Sequence, residues 1–278
     1  MINIRTVTPD EAPLLCAMSD SVNWNNSLDE CRLLATSSNM RGFFLEVDGQ
    51  IAGSAGMVTY EPQGMVFINM VIVKPEFRRR GYATMLIEHI LKLTENYRTK
   101  RLHATPEGAR VYELLGFKPC RTISFFSAAA PQLTAPENIR ITAMNEADLP
   151  RVIEHDRECY GFSRDGLLRF NFRANPEFAL IAEDCRGHIF GRRWKRFRQL
   201  SGLYSADLDT AMALTARAVA LSDQLPISVI TYDMQTDFQN FLRQGNFAKT
   251  RDMLDMVLGE DPPEPPMEYR SIYGGDMG

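Results

Sequence analysis

Three short markers recur in the same order along this chain, and together they limit it to folds that can be built twice. "IRTVTPDEAP" from Ile4 is echoed by "IRITAMNEADLP" from Ile139, an offset of 135 residues. "GQIAGSAG" from Gly49 is matched by "GHIFGRRW" from Gly187 at an offset of 138, and "VYELLGF" ending at Phe117 by "NFLRQGNF" ending at Phe247 at 130. A diverged tandem repeat of one domain accounts for all three. The seam falls in "SAAAPQLTAPEN", residues 127–138, whose small residues and two prolines read as a linker. The expected division is therefore 1–128 for the first domain, 129–138 for the linker, and 139–278 for the second domain with its proline-rich tail.

Composition narrows the class. The 278 residues suffice for two modest domains, and 45% hydrophobic with 24% charged is ordinary for a globular chain. The five cysteines are odd in number and form no C-x-x-C pair, which suggests neither a disulfide framework nor a zinc site. No metal is expected. The N-terminus lacks the layout of a signal peptide and no apolar run is long enough to span a membrane, so the expectation is a cytoplasmic protein without membrane partners. A net charge of -4 and a pI of about 5.7 disfavour a general nucleic-acid binder. Self-association is left open.

Within the first repeat, "RGFFLEVDGQIAGSAGMVTY" reads as two strands around an Asp48-Gly49 turn, and "GMVFINMVIV" as a strand buried on both faces. After Gly81 the apolar residues Ala83, Leu86, Ile87, Ile90 and Leu91 recur at helical spacing. "KRLHAT" is a short strand before a helix capped by Thr105 and Pro106 and stopped at Gly116. An antiparallel hairpin followed by strand, helix, strand, helix implies a mixed α/β sheet. The informative stretch is "KPEFRRRGYATM". A strand ending at Val73 feeds three adjacent arginines into a helix entrance, where free N–H groups, the positive helix end and the arginine charges suit a phosphate. It is neither a Walker loop nor a dinucleotide fingerprint.

"RRRGYA", residues 78–83, resembles the R/Q-x-x-G-x-G/A signature of the GNAT superfamily of N-acetyltransferases, and "ATPEGARVYELLGF" resembles that family's second motif. The tandem layout and "WNNSLDE" are similar to a bacterial subgroup of double-domain GNAT proteins. The resemblance implies two acyl-CoA N-acyltransferase folds and an acetyl-CoA site in the first. It places the backbone of Val71, Ile72 and Val73 along the pantetheine arm, and Arg78, Arg79, Arg80, Gly81, Tyr82, Ala83 and Thr84 around the pyrophosphate. Tyr112, four residues before Gly116, falls where many members carry a tyrosine beside the CoA sulfur. A tyrosine hydroxyl there can give the departing thiolate a proton or a hydrogen bond, with a core tyrosine packing under the helix as the alternative reading. The buried strand offers Asn69, which cannot act as a base. His103 is the candidate base, with a structural histidine as the alternative reading.

The second repeat keeps a strand and helix but no R-x-x-G-x-A. Its helix begins with Asp207 and Asp209, which would repel a diphosphate, and Phe241 stands at the Tyr112 position. It reads as a non-catalytic copy that shapes the acceptor pocket, with Trp24, Asn69, Tyr232 and Asp233 as the acceptor-side candidates. "GRRWKRFR", residues 191–198, interleaves five cations with two aromatics and is read as an exposed basic strand, an anion-recognition patch or a nucleic-acid surface. The tail "DPPEPPMEYRSIYGGDMG" is expected to fold back on the second domain. The function that follows is acetyl transfer from acetyl-CoA to a primary amine of a small molecule, with a non-catalytic CoA-binding sensor as the alternative.

Overall fold

The computed structural model describes residues 1–278 except 25, 62–63, 223–224, 262–263 and 276–278. From the N-terminus the elements are β1 (Ile2–Thr6), α1 (Ala12–Ser21), α2 (Leu28–Thr36), β2 (Met40–Val47), β3 (Gln50–Tyr60), β4 (Met65–Val73), α3 (Tyr82–Leu93), β5 (Thr99–Ala104) and α4 (Pro106–Leu114). The second series is β6 (Lys118–Ala128), β7 (Ile141–Ala143), α5 (Leu149–Tyr160), α6 (Asp165–Ala174), β8 (Leu180–Ala182), β9 (Gly187–Arg193), β10 (Arg198–Ser205), α7 (Leu208–Ala220), β11 (Ile227–Tyr232), α8 (Thr236–Gln244), β12 (Ala248–Gly259) and β13 (Tyr269–Ser271). Local chemistry sets many boundaries. Ser27 and Glu30 form a reciprocal capping box at α2, Thr105 caps α4 ahead of Pro106, and Asp48 and Gly49 both take positive φ in the β2–β3 turn.

The chain forms two compact units. The first has strand order β1-β2-β3-β4-β5 followed by residues Leu254–Gly259 of β12. Its strands are antiparallel except β4 and β5, which run parallel. One apolar core lies on the face covered by α3 and α4 and includes Val66, Ile68, Leu86, Ile90, Leu102, Ala104 and Tyr112. In the second unit, residues Ile123–Ala128 of β6 pair with β11, followed by β10, β9, β8 and β7, with β13 added on β10. Its core gathers Phe126, Ile189, Leu200, Leu214, Val229 and Phe238.

These units depart from the expected boundaries of 1–128 and 139–278. Residues 121–128 join the second unit, while Leu254–Gly259 joins the first, pairing from Leu254↔Ala104 to Gly259↔Thr99. The two repeats have exchanged their last strands. An alternating strand pattern tells which residues face inward but not which sheet the strand joins, so composition alone cannot reveal the exchange. Residues 129–138 are also more than a tether: the Gln132 N–H donates to the Gly245 carbonyl at 3.0 Å. A Cβ at Gly245 would stand 2.1 Å from Leu133 Cδ2.

Candidate active site

The site grows from an interruption in β4. On its β3 side, Gly56 pairs with Asn69 but Ser54 pairs with Ile72, so β4 carries one extra residue. Met70 takes φ +52° there, and the Ser54 hydroxyl pins the bulge by donating to the Met70 carbonyl at 3.0 Å. On the other side, the parallel register with β5 ends at Ile68↔Leu102. The bulge bends β4 just where that register stops, so the main chain of Val71, Ile72 and Val73 borders a gap between two parallel strands. Val71 and Val73 are half-buried and Ile72 is buried.

At the end of β4 the chain turns through Pro75–Phe77 and the three arginines into α3. Arg79 and Gly81 both take positive φ, +63° and +79°, and Gly81 is the N-cap of α3 with no side chain closing the helix end. Positive φ alternating along a turn aims successive amides to one side, and an uncapped helix start adds the positive dipole end. A Cβ at Gly81 would meet nothing within 4 Å, so the space over the turn is open. Arg78, Arg79 and Arg80 are exposed. Arg78 Nε donates to the Val73 carbonyl at 3.1 Å and Arg80 Nη2 to the Glu76 carbonyl at 3.2 Å, which anchors two of the three arginines along the turn. Tyr82 is buried against Phe77, and Ala83 and Thr84 are half-buried on the first turn of α3. A ligand with an extended amide-bearing arm and a diphosphate fits this combination of strand edge and helix entrance.

The two catalytic candidates lie on opposite faces of β5. Tyr112 belongs to the core under α3 and α4, with Leu102 and Ala104, and its ring meets Phe117 at 6.0 Å. Burial raises its pKa well above the ordinary tyrosine value, which keeps the hydroxyl protonated. His103 is on the other face, its ring edge-to-face with Phe67 at 4.9 Å and its side chain 0% exposed. That is also the face of Asn69, whose Oδ1 lies where a Cβ on Gly56 would be, beside Leu34 of α2. Trp24 is half-buried after α1, where its N–H donates to the Ser19 carbonyl at 3.1 Å. Its neighbours in "WNNSLDE" have structural work: Asn26 accepts from the Ser19 hydroxyl at 2.7 Å, and Ser27 caps α2.

Sequence reasoning missed Asp255. This fully buried carboxylate accepts from Arg101 Nε at 2.7 Å and Nη2 at 2.5 Å, and His103 Nε2 lies 3.9 Å from its Oδ1. It reaches the first unit only through the strand exchange, and it sits 152 residues from His103 in the chain, so no local motif could have signalled it.

In the second unit, Tyr232 is buried at the end of β11 and Asp233 is exposed, its N–H donating to the Thr122 carbonyl at 3.1 Å. Phe241 is buried in the core. The entrance of α7 is closed by Asp207, which accepts from the Thr210 N–H at 2.7 Å and pairs with Arg186. Three cations of the basic stretch 191–198 have partners within the second unit. Arg192 is buried with its guanidinium 4.8 Å from the Trp194 ring centroid, Arg193 pairs with Glu177, and Arg198 donates to the Trp194 carbonyl at 2.9 Å. Among the described residues, no helix is long and apolar enough to cross a membrane.

A bulged strand splayed from a parallel neighbour thus leads through an arginine-rich turn into an uncapped helix. The sequence profile of the acetyltransferase (GNAT) family matches residues 12–117, and that of an acetyltransferase (GNAT) domain matches residues 152–274. The chain belongs to the GNAT family as a tandem member. Over 163 residues it is 26% identical to the uncharacterized N-acetyltransferase YitH of Bacillus subtilis, covering 58% of this chain and 56% of the relative. It is 25% identical over 168 residues to the mycothiol acetyltransferase of Saccharomonospora viridis, covering 54% and 55% respectively. The chain thus matches little more than half the length of either relative. Its fold is similar to a crystal structure from Pyrococcus horikoshii, with a TM-score of 0.82 at 17% identity over 100% of this chain and 96% of that one. It is also similar to a tandem GNAT protein from the clavulanic acid biosynthesis pathway, at 0.67 and 10% identity over 95% and 100%.

Proposed function

We propose that the first unit transfers an acetyl group from acetyl-CoA directly to a primary amine of a small molecule, and that the second unit does not turn over. The observation that carries this reading is the β4–β5 gap opening onto the uncapped N-terminus of α3. Bound acetyl-CoA would supply the acyl thioester for attack by the amine. Val71, Ile72 and Val73 would pair through their main chain with the amide-bearing arm, while Arg78–Arg80 and the first amides of α3 hold the diphosphate. Tyr112 would keep its proton until sulfur departs and then donate it from its hydroxyl. His103 would take the amine's proton. Trp24 and Asn69 would contact the acceptor.

The test is calorimetric titration of acetyl-CoA into the native chain and into a variant carrying Arg79→Glu, Arg80→Glu and Gly81→Val. Saturable binding in the native chain and its loss in the variant are expected, followed by amine-dependent release of free thiol. Native chain that binds no acetyl-CoA would end this reading.

A further inference from the structure

The second unit contains the same bulge and the same splay as the first. Between β9 and β10 the register moves from Ser201↔Phe190 to Tyr204↔His188, again one extra residue, with Gly202 at φ +58°. The parallel register of β10 with β11 ends at Leu200↔Val229. Leu200 therefore corresponds to Ile68, Gly202 to Met70, and Leu203, Tyr204 and Ser205 to Val71, Ile72 and Val73. In the second unit that gap is filled by the chain's own C-terminal segment. β13 runs antiparallel on β10, pairing Leu203 with Ser271 and Tyr204 with Tyr269. The Ser205 N–H donates to the Glu268 carbonyl at 2.8 Å, and the Gly202 N–H to the Ile272 carbonyl at 3.3 Å. The other edge of the gap is used as well: the Ile272 N–H donates to the Ile230 carbonyl at 2.9 Å, and the Thr231 hydroxyl to the Arg270 carbonyl at 2.6 Å.

Side chains fasten the segment independently of its backbone. Tyr269, Ile272 and Tyr273 are 1%, 0% and 0% exposed. The Tyr269 hydroxyl accepts from Arg164 Nη2 at 2.9 Å, and that buried guanidinium is held by Asp156 and stacked 3.5 Å from the Tyr160 ring centroid. A Cβ at Gly202 would stand 2.8 Å from the Tyr273 ring, so the bulge glycine also makes room for the segment.

We propose that the second copy has become a strand-binding site whose ligand is this chain's own segment Tyr269–Tyr273, and that the filled gap excludes CoA. Main-chain pairing supplies the attachment and the tyrosine pockets supply selectivity, as in strand addition to an open sheet edge. The exclusion of CoA rests on the donor reading of the first unit; the strand site does not.

Two measurements on the full chain decide it. Amide exchange at Gly202, Ser205 and Ile272 should be slowed roughly a thousandfold or more relative to an unstructured peptide, and acetyl-CoA should bind at one per chain. Exchange within about tenfold of the unstructured rate, or two acetyl-CoA per chain, overturns the proposal. No acetyl-CoA binding beside a protected segment defeats the donor reading but supports the strand site. A protease site placed in residues 260–264 gives a second test. After cutting, the segment should stay with the chain through gel filtration and leave when Thr231→Val or Ile272→Pro is present; immediate loss from the otherwise native chain is the contrary result.

Discussion

Tyr112 and His103 lie on opposite faces of β5, and the roles proposed for them are tested separately. Burial raises the Tyr112 pKa, so its hydroxyl stays a hydrogen-bond donor, and removing it should affect the step in which sulfur departs. Tyr112→Phe is expected to lower kcat by about a hundredfold or more while the Kd for acetyl-CoA stays put; an unchanged kcat would return Tyr112 to a packing role. Asp255 makes a different kind of prediction. Its carboxylate neutralises Arg101 where both side chains are 4% exposed or less, so Asp255→Asn leaves a buried cation without its counter-charge. The expected loss is about 3–5 kcal/mol of unfolding free energy, read by urea denaturation. Arg101→Met together with Asp255→Leu should recover most of it. A single variant as stable as the native chain would mean that water reaches Arg101.

At the scale of elements, the contrast between the two corresponding helix entrances carries the proposed functional asymmetry. α3 starts at Gly81 with no capping side chain, whereas α7 starts at Asp207, whose carboxylate already satisfies the Thr210 amide. Asp207→Ala should cost about 1 kcal/mol of stability through loss of the cap and leave turnover unchanged; a fall in kcat at unchanged stability would show that the second unit takes part in the reaction. This asymmetry was legible in the sequence. "RRRGYA" and "SADLDT" differ in charge and in glycine at one local position, and local chemistry is what a sequence displays. The hairpin at Asp48-Gly49, the α4 cap and the repeat itself were legible for the same reason. The β4 bulge was not, because it falls on Met70, a residue with no preference for positive φ, and only the register of two neighbouring strands reveals it. The filling of the second gap was equally hidden. "YRSIY" reads as a short tail, and its distant partners lie from 34 to 105 residues upstream.

For the molecule as a whole, the strand exchange answers why the linker-based division fails. Counting from the matched pair Phe117 and Phe247, Asp255 corresponds to Phe125 in the first repeat. Had the first repeat closed its sheet with its own strand, Phe125 would stand opposite His103 in place of Asp255, and Arg101 would be buried with no carboxylate across from it. The exchange thus places a carboxylate where the first unit has a buried cation. Burying an unpaired guanidinium costs several kcal/mol, comparable with a good part of a small domain's stability. A chain of residues 1–128 should therefore unfold at markedly lower urea concentration than the first unit does in the full protein, by an amount near the Asp255→Asn loss. Arg101→Met, which removes the charge that needs Asp255, should stabilise the fragment while destabilising the full chain. Both fragments can be compared by circular dichroism across a urea series. If residues 1–128 melt with the midpoint of the intact first unit and Arg101→Met does not help them, the pairing of Arg101 with Asp255 is not what holds the exchanged strand in the first sheet.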